Sequence, residues 1–250
     1  MFFRTDPNQP GTLRFRLFGF PISIHWSFWV IPILFGGGVG NLVKEISILE
    51  PIMDKVDWGD PVVQTRLLLI LVIVFFISIL GHELGHAFAY RRYGGRPSVF
   101  IHGMGGMASV HGHYTRKQKI IITIAGPLFG FLMALICYGI LLLYVMGFFP
   151  INWKSAGGVY LSIFLFLMIH LNTFWSFLNL LPIMPLDGGQ LLGHIMHDKK
   201  PVLRGQIGAF TAFVAGVILM QLGFLFGMIL FGFLAYQNLQ AAERAKRGYW

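Results

Sequence analysis

Residues 67–90, LLLILVIVFFISILGHELGHAFAY, decide how the rest of the chain is interpreted. A bilayer is crossed by a helix of about 20 apolar residues, and this stretch is long enough while carrying one formally charged residue, Glu83. Two histidines, His82 and His86, lie beside Glu83. Ionisable groups inside an apolar helix are costly, so this cluster indicates a functional site within a membrane segment.

The composition agrees with a membrane protein. Hydrophobic residues make up 56% of the 250-residue chain and charged residues 12%, whereas soluble domains average about 45–50% and about 25%. This excludes an ordinary soluble enzyme and a disordered chain. The one cysteine, Cys137, cannot form an internal disulfide, which excludes a disulfide-stapled domain, and its apolar surroundings predict a packing role.

Five stretches with few or no charges are long enough to cross a bilayer. The last is long enough for two short passes, with a break expected near residues 221–223, although a single tilted helix is the alternative. The sequence therefore predicts an all-α polytopic membrane protein with about six transmembrane helices and one small β-hairpin. The five stretches are residues 17–43, 67–90, 120–153, 155–186 and 205–242.

The distribution of positive charge predicts the orientation of the chain. When the N-terminus is placed in the cytoplasm, most of the 19 Lys and Arg residues fall in cytoplasmic segments, and six passes return the C-terminus to the same side. The first apolar stretch lacks a clear cleavage site, so we expect a retained helix there. Because the positive residues flank apolar runs, the net charge of +9 predicts no nucleic-acid partner.

Residues 82–86, HELGH, form the pattern H-E-x-x-H. On a helix the two histidines lie one turn apart on the same face, so that both imidazoles can reach one zinc ion. Glu83 follows the first histidine and is then positioned to accept a proton from an attacking water. The alternative is two hydrogen-bonded histidines and a buried glutamate in a helix bundle.

A third zinc ligand is expected, because catalytic zinc usually has three protein ligands. The candidate is Asp187, at the end of an apolar stretch on the same predicted side of the membrane. It lies in residues 179–190, NLLPIMPLDGGQ, where two prolines end regular helix and two glycines allow a tight turn. Such a segment can hold one carboxylate in a fixed place. The alternative is that Asp187 caps the following helix.

Three polar residues, Asn172, Ser176 and Asn179, form a stripe on the preceding helix. Asn179 is the nearest to Asp187 in sequence, and we expect it to hydrogen-bond the carbonyl oxygen of the scissile bond. For Asn172 and Ser176 the preferred interpretation is helix–helix hydrogen bonding. His25, in the first apolar stretch, is a candidate gate or transient ligand, with a histidine in a helix interface as the alternative.

Residues 97–113, PSVFIHGMGGMASVHGH, are too apolar for a free loop and too rich in glycine for a helix. We predict a small re-entrant β-hairpin, whose backbone groups must be covered by protein or water. Its edge is expected to bind an extended substrate as an added strand. A loop at the membrane surface is the alternative. The candidate substrate-binding residues are Val99, Phe100, Ile101, Met107, Ala108, Ser109 and Val110.

HELGH in one apolar helix, followed about 100 residues later by NLLPIMPLDGG, resembles the site-2 protease family of intramembrane zinc metalloproteases. The resemblance covers residues 19–236, and within the family it points to the compact bacterial branch that processes sporulation factors. It implies one zinc ion per chain, bound by His82, His86 and Asp187, with Glu83 as the base and Asn179 facing the active site. We expect residues 1–250 to form a single domain without the PDZ or CBS domains of some relatives.

The predicted function is a zinc-dependent endopeptidase that cuts a peptide bond in or near a transmembrane segment of another protein, releasing a cytoplasmic fragment. The expected partners are that membrane-embedded substrate and the lipid bilayer. The expected location is a bacterial inner or plasma membrane, with both chain ends in the cytoplasm. Two alternatives are a transporter with an intramembrane metal site and a non-catalytic protein that binds membrane helices.

Overall fold

The computed structural model describes residues 10–30, 32–33, 57, 59–103, 105–110, 112–149, 155–197, 199–221 and 223–248. Within these ranges, five helices are long and apolar enough to cross a membrane, namely all the α-helices below except α4. The elements in chain order are β1 (Thr12–Leu17), β2 (Phe20–His25), a short 3-10 helix (Trp26–Trp29), α1 (Pro61–Arg92), β3 (Ser98–His102), β4 (Gly105–Ser109), α2 (Arg116–Val145), α3 (Ala156–Asn179), α4 (Asp187–Ile195), α5 (Pro201–Gln221) and α6 (Leu225–Lys246).

The fold class is confirmed: the chain is a helical polytopic protein with a small β-sheet. The last apolar stretch forms two helices, because α5 ends at Gln221 and α6 begins at Leu225. Gly223 between them has a φ of +78°, a conformation that glycine adopts at little steric cost. The predicted break is therefore confirmed, and the single tilted helix is wrong.

The first apolar stretch does not begin as a helix. Residues 20–25 form β2, which pairs antiparallel with β1 and parallel with β3. The predicted helix is therefore wrong for residues 17–25, while residues 34–43 lie outside the described residues. Phe18 and Gly19 both have positive φ, which is typical of the two-residue turns that join hairpin strands.

The predicted hairpin is present, but it belongs to a larger sheet. β3 and β4 pair antiparallel with Val99 opposite Ala108. Among the described residues the sheet has four strands in the order β1-β2-β3-β4, so that β4 lies at one edge. The second strand spans Gly105–Ser109, so the candidate substrate-binding residues Met107, Ala108 and Ser109 lie in it and Val110 follows it. Re-entry of this hairpin into a membrane stays a prediction.

The chain divides into two compact units, one made of residues 1–111 and 128–174 and the other of residues 112–127 and 175–250. In the first unit, α1 shares an apolar core with α2 and α3 that includes Leu67, Val74, Cys137 and Ile163. Cys137 is buried there, as expected for a packing role. In the second unit a core of Ile183, Ala212, Phe231 and Leu234 joins the segment before α4 to α5 and α6.

The sheet is fastened to the C-terminal end of α1. The Nη1 atom of Arg91 donates a hydrogen bond to the carbonyl oxygen of Phe18 at 2.8 Å. The guanidinium group of Arg91 also lies over the rings of Phe20 and Phe88, at 4.4 and 5.0 Å from the ring centroids. These contacts hold the sheet against the end of α1 that carries residues 82–86.

Candidate metal centre

The two histidines of α1 are spaced as ligands of one metal ion. The Nε2 atoms of His82 and His86 lie 3.2 Å apart, and the rings meet edge to face with centroids 4.9 Å apart. With Zn–N bonds of about 2.0–2.1 Å, two nitrogen ligands of a tetrahedral zinc ion lie about 3.3 Å apart. The imidazoles are therefore preorganised for zinc.

Asp187 supplies the third donor. One ligand atom from each of His82, His86 and Asp187 lies within 4.8 Å of the others, and all three residues are buried. Two imidazoles and one carboxylate form a donor set that zinc accepts, and three protein ligands are typical of catalytic sites, which keep a position open. The residues present therefore fit a zinc ion.

Asp187 is the first residue inside α4. The N-cap position belongs to Leu186, which makes no side-chain capping bond, so the alternative of Asp187 as the helix cap is wrong. Gly188 and Gly189 serve a purpose other than the predicted tight turn. A Cβ atom on Gly188 would overlap the carbonyl oxygens of Leu180 and Leu181, and one on Gly189 would lie 2.6 Å from the amide nitrogen of Met184.

The two glycines therefore allow the first turn of α4 to rest directly on the backbone of residues 180–184. Neither glycine has a positive φ. The other end of α4 is also held, because Arg116 donates to the carbonyl oxygens of His194 and Ile195 at 2.7 and 2.8 Å. Basic side chains suit these positions, since the last carbonyls of a helix have no partner within the helix.

Glu83 faces the edge strand of the sheet. It is 5% exposed, and a Cβ atom on Gly106 of β4 would lie 2.6 Å from its Oε1 atom and 2.7 Å from its Cδ atom. The backbone of β4 therefore packs directly on the carboxylate. Sequence reasoning did not single out Gly106, because several glycines occur in this segment and none of them is marked by its neighbours as the one that contacts Glu83.

β3 and β4 differ in whether a backbone edge is free to pair with another strand. β3 pairs with β2 on one side and with β4 on the other, and Val99, Phe100 and Ile101 are buried. Both backbone edges of β3 over these residues are therefore occupied. Among the described strands only β1 and β4 are at an edge, and β4 is the one that carries Gly106. The Met107 side chain is 41% exposed.

Two members of the polar stripe on α3 have identified contacts. The Nδ2 atom of Asn172 donates to the hydroxyl of Ser78 at 2.9 Å and to the carbonyl oxygen of Met168 at 2.8 Å. This is the helix–helix bonding expected for it. Asn179 is the last residue of α3, and its Nδ2 atom donates to the carbonyl oxygen of Trp175 at 2.9 Å. Its contact with a substrate stays a prediction.

His25 ends β2 and belongs to a local hydrogen-bond network. Its Nδ1 atom lies 2.7 Å from the hydroxyl of Ser27, which also accepts a bond from the amide of Gly103 at 3.0 Å. The network links β2 to the turn between β3 and β4. Burial lowers the pKa of His102, the last residue of β3, and the nearby His25 lowers it further. The role of His25 as a gate stays a prediction.

Comparison with known proteins identifies similar zinc proteases. Residues 70–161 match the family model of peptidase family M50. A zinc metalloprotease of Methanocaldococcus jannaschii is 28% identical over 213 residues, which are 84% of this chain and 53% of that protein. The putative zinc metalloprotease Rip3 of Mycobacterium tuberculosis is 28% identical over 212 residues, 83% of this chain and 50% of its own length.

The chain thus spans about half the length of the curated relatives it matches. Among solved structures, the site-2 protease of Methanocaldococcus jannaschii superposes with a TM-score of 0.51 at 25% identity, covering 93% of this chain and 94% of that one. The matched residues 70–161 contain the HELGH segment, and Asp187 meets its histidines. Residues 70–161 therefore match peptidase family M50, and the chain, with its five apolar helices, is similar in fold to a site-2 protease.

Proposed function

We propose that the protein is an intramembrane zinc endopeptidase that hydrolyses a peptide bond in or near a transmembrane segment of a membrane-bound protein and releases a cytoplasmic fragment. The observation that carries this proposal is the buried group of His82, His86 and Asp187, with Glu83 next to the first ligand in an apolar helix. The compact bacterial branch of the family and a bacterial inner or plasma membrane are part of the same proposal.

Each residue has a defined part in the reaction. His82, His86 and Asp187 would hold a zinc ion, which would supply Lewis-acid polarisation of the scissile carbonyl and a more nucleophilic water at neutral pH. Glu83 accepts the proton of the attacking water and transfers it to the leaving amine. Asn179 orients the scissile carbonyl. Burial of Glu83 excludes bulk water, which strengthens its electrostatic effect on the reacting atoms.

A transmembrane substrate must unwind before its peptide bond can be attacked. Unwound backbone in a dry membrane leaves donors and acceptors without partners, at a cost of several kcal/mol for each group. We infer that the open edge of β4 accepts this backbone as an added strand, because Gly106 of the same strand contacts Glu83. Substrates should therefore carry Gly, Pro or Asn near the cut, since these residues ease unwinding.

A proline scan over Met107, Ala108, Ser109 and Val110 tests this strand addition. Amide groups along an edge strand point alternately towards the neighbouring strand and towards the open edge. Proline at an outward position removes a donor needed by the substrate and should slow cleavage with zinc content and thermal stability nearly unchanged. Proline at an inward position should also lower stability. If every zinc-loaded variant cleaves at the wild-type rate, strand addition is wrong.

Cysteine labelling tests the proposed orientation of α1. In a Cys137→Ala background, a cysteine at Arg96 should react from the cytoplasmic side and a cysteine at Asp57 from the outer side, since the two exposed residues lie beyond opposite ends of α1. Glu83 then lies about 12 Å from the cytoplasmic end at Arg91. The reverse labelling pattern would contradict cytoplasmic release of the product.

The decisive experiment for the function is co-expression with candidate single-pass membrane proteins. Wild-type protein should produce a cytoplasmic fragment of a true substrate, and the Glu83→Gln variant, expressed at the same level, should not. A transporter would move solute without any fragment, and a non-catalytic binding protein would act equally well with Gln at position 83. Cleavage at the wild-type rate by the Glu83→Gln variant would refute the proposal.

A further inference from the structure

Asn238 is a buried amide in the middle of the apolar helix α6. It is 2% exposed, and its side chain makes three hydrogen bonds. The Nδ2 atom donates to the carbonyl oxygen of Leu234, one turn earlier in the same helix, at 2.8 Å. It also donates to the carbonyl oxygen of Met184 at 2.8 Å, and the Oδ1 atom accepts from the amide of Met184 at 3.1 Å.

Met184 lies three residues before Asp187, in the irregular segment between α3 and α4. Its amide and carbonyl groups lie outside any helix, so they need partners elsewhere. The one side chain of Asn238 satisfies both groups, and this fixes the position and the orientation of residue 184. Gly189, in the first turn of α4, rests on the same amide nitrogen. The turn that presents Asp187 is therefore seated on a backbone segment that Asn238 holds.

Two glycines of α5, Gly205 and Gly208, pack against Asn238, where a larger side chain would clash. A Cβ atom on Gly208 would overlap the amide oxygen of Asn238 and lie 3.2 Å from the carbonyl oxygen of Pro182. A Cβ atom on Gly205 would lie 2.8 Å from the backbone oxygen of Asn238. Two turns of α5 are thus shaped around this one residue, which lets α6 approach closely enough for the amide to reach Met184.

We propose that Asn238 is a positioning residue for the metal-ligand aspartate: it fixes Met184, and through it the first turn of α4 and the carboxylate of Asp187. The proposal rests on the proposed function, because it requires Asp187 to bind the metal. Residues that orient metal ligands from outside the coordination sphere typically contribute a factor of about 10–100 in metal affinity or activity. Helix packing alone would need neither of the two bonds to Met184.

The test compares Asn238→Leu with the wild-type protein. Leucine has the same number and branching of side-chain heavy atoms and favours a membrane helix, so the helix should form while both bonds to Met184 are lost. We expect the zinc dissociation constant, measured by competition with a chelator in detergent, to rise by about 10–100-fold. The visible absorption spectrum of the cobalt-substituted protein should also change, because it reports the ligand geometry.

Asn172→Leu is the matched control. Asn172 is also a buried amide bonded to the carbonyl one turn earlier, but its second partner is the hydroxyl of Ser78 and not the segment before Asp187. Asn172→Leu should lower the melting temperature about as much as Asn238→Leu does, and it should leave zinc affinity within about twofold of wild type. Equal losses of zinc affinity in the two variants would overturn the proposal, as would wild-type zinc affinity in Asn238→Leu.

Two further variants apply if Asn238→Leu cannot be purified in a folded form. Asn238→Ala removes the same bonds without adding bulk, and Gly208→Ala displaces the amide from the side of α5. Both should weaken zinc binding, and wild-type affinity in a folded form of either would refute the proposal. A wild-type protein that binds zinc but cleaves no substrate would contradict the proposed function and leave this comparison of affinities intact.

Discussion

The Glu83→Gln variant is expected to cleave substrate about 10³-fold more slowly than the wild-type protein while still binding one zinc ion per chain. Glutamine has the same shape as glutamate, so the contact with Gly106 is retained, but an amide cannot accept a proton from water. Because Glu83 is not one of the three grouped ligands, the metal should stay bound. The measurement is the single-turnover cleavage rate of the purified protein together with its zinc content.

The control for this result is His86→Ala, which removes a ligand instead of the base. Zinc content should fall well below one ion per chain, and activity should be lost with it. The pair of variants separates proton transfer from metal binding. Loss of zinc in Glu83→Gln would mean that Glu83 is a ligand, and wild-type activity in the same variant would contradict its role as the base.

Gly106→Ala is expected to lower the cleavage rate by about 10²-fold with zinc content and sheet structure retained. The new methyl group would lie within 2.7 Å of the Glu83 side chain, which is closer than atoms can approach, so the carboxylate must move. A misplacement of about 1 Å in a catalytic group typically costs about 100-fold in rate. The loss should appear in kcat, because the edge of β4 that we propose binds substrate keeps its backbone groups.

Gly139→Ala on α2 is the matched control for this change. A Cβ atom on Gly139 would meet no heavy atom within 4 Å among the described residues, so the same substitution should leave activity at the wild-type level. A second measurement is the zinc content of Gly106→Ala, which should equal that of wild type. Full activity in Gly106→Ala would show that β4 does not constrain the catalytic carboxylate.

Long, locally encoded features could be predicted from the sequence. The apolar run of α1 specifies a helix without any partner, because its length and composition match a bilayer. His82 and His86 share a face because helical geometry fixes residues four apart, and this geometry needs no tertiary contact. The break between α5 and α6 could be predicted for a similar local reason, since a run of that length exceeds one pass.

The start of the first apolar stretch could not be predicted by the same reasoning. Hydropathy does not distinguish a buried strand from a membrane helix when both are apolar. Residues 20–25 form a strand because β1 and β3 pair with them on both sides, and β3 lies more than 70 residues away in the chain. The hairpin of β3 and β4 was predicted from its glycines, but its place as half of a sheet depends on that distant pairing.

The sequence by itself determined the helix and the shared face of His82 and His86, because both follow from local spacing and composition, and the cost of ionisable groups in an apolar segment marked them as functional. It offered Asp187 only as a candidate ligand, and the tertiary structure brought that residue to the two histidines. Only the tertiary structure decided which backbone segments position the candidate site residues. Gly106 against Glu83 and Asn238 holding Met184 are contacts between segments far apart in the chain, and the first turn of α4 rests on residues 180–184 across an irregular turn. Such contacts depend on how the elements pack, and one glycine or asparagine carries no local mark of the partner it will meet.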